Sequence, residues 1–460
     1  MENKLEKIVS LCKRRGFIFP GSEIYGGIGG FYDFGPLGAE LKFNIKQAWW
    51  KDVVQKNRNV EGLNTAIIMN PEAWKASGHV SGFSDPMVEC KKCHSRFRSD
   101  FLSAEENMGK VLVLPAEPAK QLDLLMQEKI KCPSCSKVDW TEPRQFNLMF
   151  KTFVGPVEDS AATAYLRPET AGGIFVNFKN VLDTMRVRVP FGIAQIGKAF
   201  RNEVNPKDYI FRTREFEQME LEFFVKPGED DEWFKKWIDE RFNWYASIGL
   251  KNIRRFEQPK EELAHYSKGT TDIEYKFPFG WKEIEGVANR TDFDLKAHSQ
   301  ASGQELSYTD PDTKEKFVPY VIEPSAGVDR IALAVLCDAY HEEEDRVVLK
   351  LHPKLAPYKA AVFPLLKNKP ELVKKAEEVY AVIAGDFNVA WDDRGNIGKR
   401  YYSQDEIGTI LGVTVDFQTL EDNTVTIRDR DTKEQIRVKL SDLQKIIEGR
   451  INGEDFSSFK

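Results

Sequence analysis

Residues 195–224 combine side chains that suit a ligand carrying both phosphate groups and a flat ring. Two runs of strand-like composition flank the polar segment 204–209, which contains turn-forming Asn-Pro and Lys-Asp pairs. This pattern predicts an antiparallel hairpin with a charged loop. Side chains alternate between the two faces of a strand. One face of the second strand is therefore predicted to carry Arg212, Arg214, Phe216, Gln218, Glu220 and Glu222.

Arginine binds phosphate in a planar fork and also stacks on aromatic rings. A strand face with arginines, a phenylalanine and carboxylates therefore suits ATP. An exposed hairpin whose charges form ion pairs is an equally good interpretation from composition alone, because charged side chains are mostly found on protein surfaces. The remaining motifs decide between the two.

Four of the six cysteines form two Cys-x-x-Cys pairs, Cys90 with Cys93 and Cys132 with Cys135. Four thiolates complete a closed tetrahedral zinc shell, which leaves no open position for a substrate. The spacing therefore predicts a structural Zn²⁺. Buried reduced cysteines or a redox pair are the alternatives, because the gap between the pairs is longer than in the usual zinc ribbon. His94 could also replace one thiolate.

Composition limits the class of protein. A hydrophobic fraction of 41% and a charged fraction of 30% are typical of a soluble globular protein, and 460 residues predict two or three domains. No apolar run is long enough for a membrane-spanning helix, and the N-terminal segment lacks the apolar core of a signal peptide. With two CxxC pairs, these features predict a cytoplasmic protein. The net charge of −6 argues mildly against a nucleic-acid partner.

Three further segments position the candidate residues. Pro36 precedes a helical pattern that runs from Ala39 to about Gln55. A strand at 318–323 turns into a helix whose first turn carries Arg330, a charge that opposes the helix dipole unless a polyphosphate is bound. From about residue 357, strands alternate with helices, which indicates a separate α/β domain with a mixed sheet.

The order of these motifs resembles the three signature motifs of class II aminoacyl-tRNA synthetases: the Pro36 helix, the hairpin, and the strand and helix that carry Arg330. The run FRTREFEQMELEFF is similar to the homodimeric glycyl-tRNA synthetases. The resemblance covers nearly the full chain. It implies an α+β fold, in which an antiparallel sheet is flanked by helices. It also implies a catalytic domain at 1–350 with insertions at about 88–145 (zinc-binding) and 226–282, and an anticodon-binding domain at 357–460.

The resemblance also implies a reaction. Glycine and ATP would give glycyl-adenylate, and the glycyl group would pass to the 3′ end of tRNA(Gly), with Mg²⁺ accompanying ATP and a homodimer as the assembly. Arg201, Glu203 and Arg330 are implied as catalytic, and Glu283 as a contact to Mg²⁺. The implied ATP contacts are Arg201, Asn202, Glu203, Phe211, Arg212, Phe216, Glu283, Ile284, Gly327 and Arg330. The implied glycine contacts are Arg98, Glu169, Phe216, Gln218, Glu220, Glu323, Ser325 and Gly327.

Simpler interpretations exist for several of these residues. Glu169 could cap a helix, and Arg98 could be an ordinary surface arginine. In the C-terminal domain, a cluster with charge and an aromatic ring suits single-stranded anticodon bases, although acidic residues balance the basic ones there. This cluster comprises Arg394, Lys399, Arg400 and Tyr401.

Two alternatives to the implied function stay open. One is a class II synthetase for another small amino acid. The other is a non-catalytic, dimeric nucleic-acid-binding relative, which need not keep Arg201, Arg212 and Arg330.

Overall fold

The computed structural model describes residues 4–102, 118–264 and 266–460, in which helices and strands alternate along the chain. The helices are α1 Lys4–Arg15, α2 Pro36–Trp50, α3 Pro71–Ala76, α4 His79–Gly82, α5 Ser99–Leu102, α6 Pro118–Gln127, α7 Ala171–Met185, α8 Asp230–Ser247, α9 Phe293–Ser302, α10 Val328–Ala339, α11 Pro370–Ala384, α12 Ile397–Ile407, α13 Phe417–Asp422 and α14 Leu443–Ile451.

The strands are β1 Ile18–Pro20, β2 Tyr32–Phe34, β3 Val60–Leu63, β4 Ser84–Glu89, β5 Arg96–Arg98, β6 Arg144–Asn147, β7 Lys151–Phe153, β8 Thr163–Tyr165, β9 Phe191–Phe200, β10 Glu215–Val225, β11 Ile253–Glu257, β12 Gly269–Phe277, β13 Gly280–Thr291, β14 Tyr308–Thr309, β15 Lys316–Phe317, β16 Tyr320–Gly327, β17 Tyr340–Glu342, β18 Val347–Leu349, β19 Ala360–Pro364, β20 Val389–Trp391, β21 Leu411–Val415, β22 Thr424–Asp429 and β23 Gln435–Lys439.

Seven strands form the central sheet, in the order β11-β12-β13-β16-β10-β9-β3. Neighbouring strands are antiparallel except for β3 and β9, which are parallel. The predicted hairpin is present as β9 and β10, with Glu215 opposite Phe200 and Phe224 opposite Phe191. Antiparallel strands with helices packed against them confirm the predicted α+β class.

The hairpin loop is longer than the sequence pattern predicts, because β10 begins only at Glu215. Arg212 and Arg214 precede the strand, so strand alternation does not set their directions. The Arg214 guanidinium donates hydrogen bonds to the carbonyl oxygens of Gly29 and Glu203. The prediction that Arg214 shares a face with Phe216 is therefore wrong.

Helix α2 begins at Pro36, three residues before the predicted start, because a proline at the first helical position has no amide hydrogen to leave unpaired. A π-helical turn at Lys51–Gln55 continues it. Helix α10 contacts both α2 and β10, and its side chains are buried on nearly every side. A helix that is apolar on nearly all sides lies in the core. Because α10 packs against α2 on one side and β10 on another, it connects α2 to the central sheet.

The segment predicted as a zinc-binding insertion contains a small sheet of its own, in the order β5-β4-β6. All four cysteines of the CxxC pairs lie beside this sheet, in a cluster with Val88, Leu125 and Trp140. Residues 103–117 of the predicted insertion lie outside the described residues.

The C-terminal residues form a second sheet of five strands, in the order β20-β19-β21-β22-β23. Strand β19 is parallel to β20 and β21, whereas β22 is antiparallel to β21 and β23. The sheet is therefore mixed, as predicted from the alternation of strands and helices.

Two of the residues expected to contact anticodon bases are buried in this domain. The Arg400 guanidinium donates to the carbonyl oxygens of Pro364, Asp393 and Gly395, and the Tyr401 hydroxyl lies 2.6 Å from Thr414 Oγ1. Only 2% of Arg400 and 9% of Tyr401 are exposed. The prediction that these two side chains bind RNA is wrong, because this face of α12 packs on the sheet.

None of the helices in the described ranges is both long and apolar enough to cross a lipid bilayer.

A buried lysine joins α2, β10 and α10. Lys42 Nζ lies 2.5 Å from Asp329 Oδ1 and 2.8 Å from Glu217 Oε2. The second oxygen of Asp329 accepts the backbone N–H of Glu217 at 2.9 Å. Burial opposes ionisation of Glu217, but Lys42 and Lys46 outweigh it and lower the pKa of this carboxyl to about 2. The ion pairs therefore hold the start of β10 against both helices.

Replacement of Lys42 should be strongly destabilising. Lys42→Met leaves the buried Asp329 carboxylate without its lysine and Glu217 with Lys46 alone, which should lower the free energy of unfolding by about 3–5 kcal/mol at pH 7. Lys46→Met is the matched control, because Lys46 also pairs with Glu217 but is more exposed; about 1 kcal/mol or less is expected. Urea denaturation followed by tryptophan fluorescence measures both.

The same pair gives a pH dependence. A carboxyl with a lowered pKa contributes stability that is complete above its unfolded pKa and is lost as the pH falls toward its folded pKa. The difference between wild type and Lys42→Met should therefore shrink below about pH 5. A difference that stays constant down to pH 3 would contradict the assignment.

Candidate active site

A cavity of about 390 Å³ opens on the central sheet, between β10, β13, β16, the start of α10 and the hairpin loop. Alternation along β10 brings Phe216, Gln218 and Glu220 to this surface, as the sequence predicts. Most of the other predicted site residues also line it. The predicted residues at the cavity are Glu169, Arg201, Glu203, Phe211, Arg212, Phe216, Gln218, Glu220, Glu283, Glu323, Ser325, Gly327 and Arg330.

Three predicted residues do not line the cavity. The Arg98 guanidinium lies 2.7 Å from Asp85 Oδ2, and the side chain of Asn202 is absent from the lining. Ile284 is fully buried in the core. A register shift opposite Ile284, between residues 273 and 274 of β12, puts Ile284 and Glu285 on the core side while Glu283 reaches the cavity. Such bulges re-aim side chains, and alternation alone does not reveal them.

Arginines gather at one end of the cavity. The Arg201 guanidinium lies 5.4 Å from the ring centre of Phe216 and 5.3 Å from that of Phe83. The Arg330 guanidinium lies 4.5 Å from the ring centre of Phe211 and pairs with Glu283 at 3.1 Å. Aromatic rings and guanidinium groups thus alternate along this end.

Burial and repulsion between neighbouring guanidinium groups destabilise the charged form of Arg212 at this end of the cavity. Burial lowers the pKa of Arg212; Glu203, 3.5 Å away, opposes this effect, but the cations Arg330 and Arg98 reinforce it. Bringing guanidinium groups together out of water favours the binding of an anion. Phosphate groups would supply that charge.

Carboxyl groups gather at the other end. Glu220 accepts hydrogen bonds from the hydroxyls of Thr170 and Ser325, the latter at 2.7 Å. Glu169 lies 3.4 Å from His79 Nε2, and the N-cap of α7 is Thr170, whose side chain makes no capping hydrogen bond. Glu323 accepts a hydrogen bond from Arg290 Nη1 at 2.5 Å. The hydroxyls and the guanidinium hold these carboxyls in fixed orientations.

The pKa values of these acids are spread widely. Burial opposes ionisation of Glu169, but His79, Arg290 and Arg201 lower its pKa to about 2. Burial and the charge of Glu169 raise the pKa of Glu220. Burial also raises the pKa of Glu323, against the effect of Arg290. Groups that share a site and repel one another favour the arrival of a cation, so this end suits an ammonium group.

Several residues at the site were missed by the sequence reasoning. Arg290, which donates to Glu323, is not among the residues predicted above. No sequence motif identifies Thr170 or His79, because each contacts a carboxyl from a distant part of the chain, Thr170 that of Glu220 and His79 that of Glu169. Asp272, whose pKa burial raises to about 7, also lines the cavity, and its position depends on the pairing of β12 with β13.

The four cysteines of the CxxC pairs come together in the described part of the insertion. Their sulfur atoms all lie within 4.8 Å of one another, and the closest pairs are 3.6 Å apart. Zinc–sulfur bonds of about 2.3 Å in a tetrahedron place sulfurs ~3.8 Å apart. The arrangement therefore fits a closed four-thiolate metal shell and is too wide for a disulfide.

His94 is a turn residue and not a fifth candidate ligand. It has a positive φ of 58°, as Ser136 has at 59° in the corresponding place after the second CxxC pair. In both turns, this residue donates its N–H to the carbonyl oxygen of the first cysteine. The His94 ring instead lies 3.1 Å from Glu89.

Comparison with known protein families assigns both parts of the chain. Residues 150–340 match the tRNA synthetase class II core domain (G, H, P, S and T), and residues 359–450 match the anticodon binding domain. A glycine–tRNA ligase of Clostridium perfringens is 56% identical over 97% of this chain and 98% of its own. Those of Alkaliphilus oremlandii (56%, covering 96% and 97%) and Bacillus anthracis (55%, covering 97% and 99%) are similarly related.

Identity of this level over nearly the whole length of both chains confirms the resemblance seen in the motifs. The chain belongs to the glycine–tRNA ligase family of class II aminoacyl-tRNA synthetases.

Proposed function

We propose that the chain is an ATP-dependent ligase that joins glycine to tRNA(Gly) through glycyl-adenylate. The observation that carries this function is the polarity of the cavity: arginines and aromatic rings at one end, and carboxyls at the other, on one face of the central sheet. A phosphate-bearing nucleotide and an ammonium-bearing amino acid would therefore meet with their reacting groups adjacent.

The chemistry requires positioning more than proton transfer. The glycine carboxylate is already a nucleophile and attacks the α-phosphorus of ATP, while pyrophosphate leaves, so no general base is needed. Arg201 would neutralise the α-phosphate, and Arg330 would neutralise the terminal phosphate or close over the base. Phe216 would stack on the adenine, and Glu203 would orient its amino group. Holding both substrates in this geometry lowers the entropic part of the barrier.

Magnesium accompanies ATP in this class of reaction, where it offsets phosphate charge. Glu283 and Asp272 both line the nucleotide end of the cavity, and carboxylate oxygens are ligands that Mg²⁺ prefers. Repulsion from Glu283 contributes, after burial, to the raised pKa of Asp272. The donor set therefore fits a cation at this place.

Glycine selectivity must come from exclusion, because glycine offers no side chain to bind. Glu169, Glu220 and Glu323 would bind the ammonium group, and the Ser325 hydroxyl, which is hydrogen-bonded to Glu220, would crowd the α-carbon. A methyl group would displace the ammonium from partners that are held rigidly. These contacts favour glycine over the alternative of another small amino acid.

ATP–pyrophosphate exchange tests this function directly. Exchange should depend on glycine and be negligible with alanine. Glu220→Gln removes one buried charged partner of the ammonium, so kcat/KM for glycine should fall by about 10–100-fold while the KM for ATP changes little. Ser325→Ala should weaken the discrimination against alanine. Glu257→Gln, on the edge strand β11, is the control and should behave as wild type; an unchanged KM for glycine in Glu220→Gln would place the pocket elsewhere.

A structural Zn²⁺ at Cys90, Cys93, Cys132 and Cys135 is part of the proposal. The support for it is the spacing of the four sulfur atoms described above. A closed shell of thiolates would hold the small sheet together and take no part in the reaction.

Elemental analysis tests the metal. About one zinc per chain is expected, and Cys132→Ser should lose it, because three thiolates bind far more weakly than four. Cys337→Ala removes a cysteine that lies outside the cluster and should retain the metal. Wild-type protein that is free of metal and has normal stability would contradict the four-cysteine site.

We also propose a homodimer formed around α2. Large apolar side chains are exposed on this side of the molecule: Ile24 (89%), Tyr25 (87%), Ile28 (63%) and Phe43 (53%). Clustered exposed apolar residues mark interaction surfaces. Ile28 and Phe43 also line a common concavity of about 790 Å³, which would accept side chains of a second copy.

Sedimentation equilibrium at micromolar concentration should give twice the chain mass of 52.7 kDa. Phe43→Glu should shift the protein toward the monomer, because it would bury a charge in the interface. Val382→Glu, at an exposed apolar position of the C-terminal domain, is the matched control. A fully active wild-type monomer would contradict the proposal.

For the anticodon, the exposed residues of the C-terminal domain replace the buried Arg400 and Tyr401. Leu366 and Phe417 follow the ends of the parallel strands β19 and β21, and both are exposed. The Arg394 side chain is 83% exposed. Exposed rings and exposed guanidinium groups at this end of the sheet suit stacking on single-stranded bases and contact with their phosphates.

A further inference from the structure

Glu222 lies behind the carboxyl end of the cavity and has no part in the reaction described so far. It is fully buried, and neither of its carboxyl oxygens has a hydrogen-bond partner. It does not line the cavity, so it cannot contact glycine directly. A buried carboxyl without a donor is costly as an anion, so its protonation state needs an explanation.

Three carboxyl groups meet at this point of the sheet. Glu220 lies opposite Ser325 and Phe223 opposite Ile322, a register that sets Glu222 opposite Glu323. Glu220 and Glu222 are two residues apart and share a face of β10. One carboxyl oxygen from each of Glu220, Glu222 and Glu323 lies within 4.8 Å of the other two.

Little positive charge is available to this cluster. The charged groups that face Glu222 are Glu220 on its own strand, Glu323 on β16, Arg290 on β13 and Asp294 on α9. Arg290 donates two hydrogen bonds to Asp294 and one to Glu323, and none to Glu222.

The other elements packed here are neutral. The neighbour of Glu222 on β9 is Ile193, and the buried residues of α7 are all uncharged. On α9, burial lowers the pKa of His298, which is therefore neutral at pH 7. Arg290 is thus the cation that faces Glu222, and Arg167 in addition attracts Glu220. Three of the four acidic groups lie close enough to repel one another. At least one of the three must keep a proton.

We propose that Glu222 keeps this proton and acts as a positioning residue, donating a hydrogen bond to the Glu323 carboxylate so that its other oxygen stays oriented toward the glycine ammonium. The proposal rests on the proposed function, because it assigns Glu222 a task in glycine binding. In this arrangement, the neutral Glu222 supports the carboxylates that line the pocket and does not add a further negative charge to them.

The electrostatic surroundings support the assignment of the proton to Glu222. Burial raises the pKa of Glu222 well above 4.5, and Glu323 raises it further. Glu220 has hydroxyl donors and Glu323 has a guanidinium donor, which stabilise their charged forms. Glu222 has no such donor. Of the three carboxyls, Glu222 is therefore the one that gains least from being charged, so the shared proton is assigned to it.

Two substitutions test whether Glu222 acts as a neutral hydrogen-bond donor or as a negative charge. Glutamine has the shape of glutamic acid and keeps an N–H donor, so Glu222→Gln should keep the KM for glycine within about threefold of wild type. Glu222→Leu has no donor, so it should raise the KM for glycine by about tenfold or more, with the KM for ATP nearly unchanged. Exchange of pyrophosphate into ATP at pH 7 gives both constants. Equal losses in both variants, or a wild-type KM in Glu222→Leu, would overturn the proposal.

A spectroscopic measurement does not depend on activity or on the leucine variant folding. In infrared difference spectra at pH 7, wild type minus Glu222→Gln should show the carbonyl band of one protonated carboxylic acid. A difference that contains only carboxylate bands would show that Glu222 is ionised and would overturn the proposal. Absence of glycine-dependent exchange in wild type would instead count against the proposed function and leave the infrared result to decide the state of Glu222.

Discussion

Negative charge buried at one end of the cavity is the constraint on which the rest of the site depends. Glu169, Glu220 and Glu323 line this end, and the guanidinium of Arg290 that contacts Glu323 is shared with Asp294. Carboxylates in such surroundings lack the solvation that water provides, and they repel one another. A small cationic ligand would relieve that repulsion, so the affinity for an ammonium group that we propose would follow from carboxyls that the fold itself brings together.

The fold holds this charge through irregularities in one strand. β13 has two register shifts, one opposite Ile284 and one between Asn289 and Thr291. The first directs Glu283 to the arginine end of the cavity, and the second contains Arg290, which reaches Glu323 on the neighbouring strand. β-bulges commonly re-aim side chains near active sites. The two register shifts of β13 therefore place one side chain at each end of the cavity, Glu283 among the arginines and Arg290 beside Glu323.

Features with a local period could be predicted from the sequence. The alternation of β10 correctly placed Phe216, Gln218 and Glu220 on one surface, and the paired CxxC motifs correctly indicated four cysteines in one cluster. Features that depend on distant elements could not. Arg214 leaves the strand face to bind Gly29, Ile284 lies at a bulge, and Tyr401 packs on a sheet whose pairing the local pattern does not encode. Thr170 and His79 orient carboxylates from separate segments for the same reason.

The central claim is that the pocket recognises the positive charge of glycine. Glycolate, in which a hydroxyl replaces the ammonium group, keeps the reacting carboxylate and the size of glycine and so isolates that charge. A site whose buried polar groups are built around one partner rejects an analogue without it by a large factor, so ATP–pyrophosphate exchange with glycolate should have a kcat/KM at least about 1,000-fold below that with glycine. A value within about tenfold of that for glycine would contradict the account.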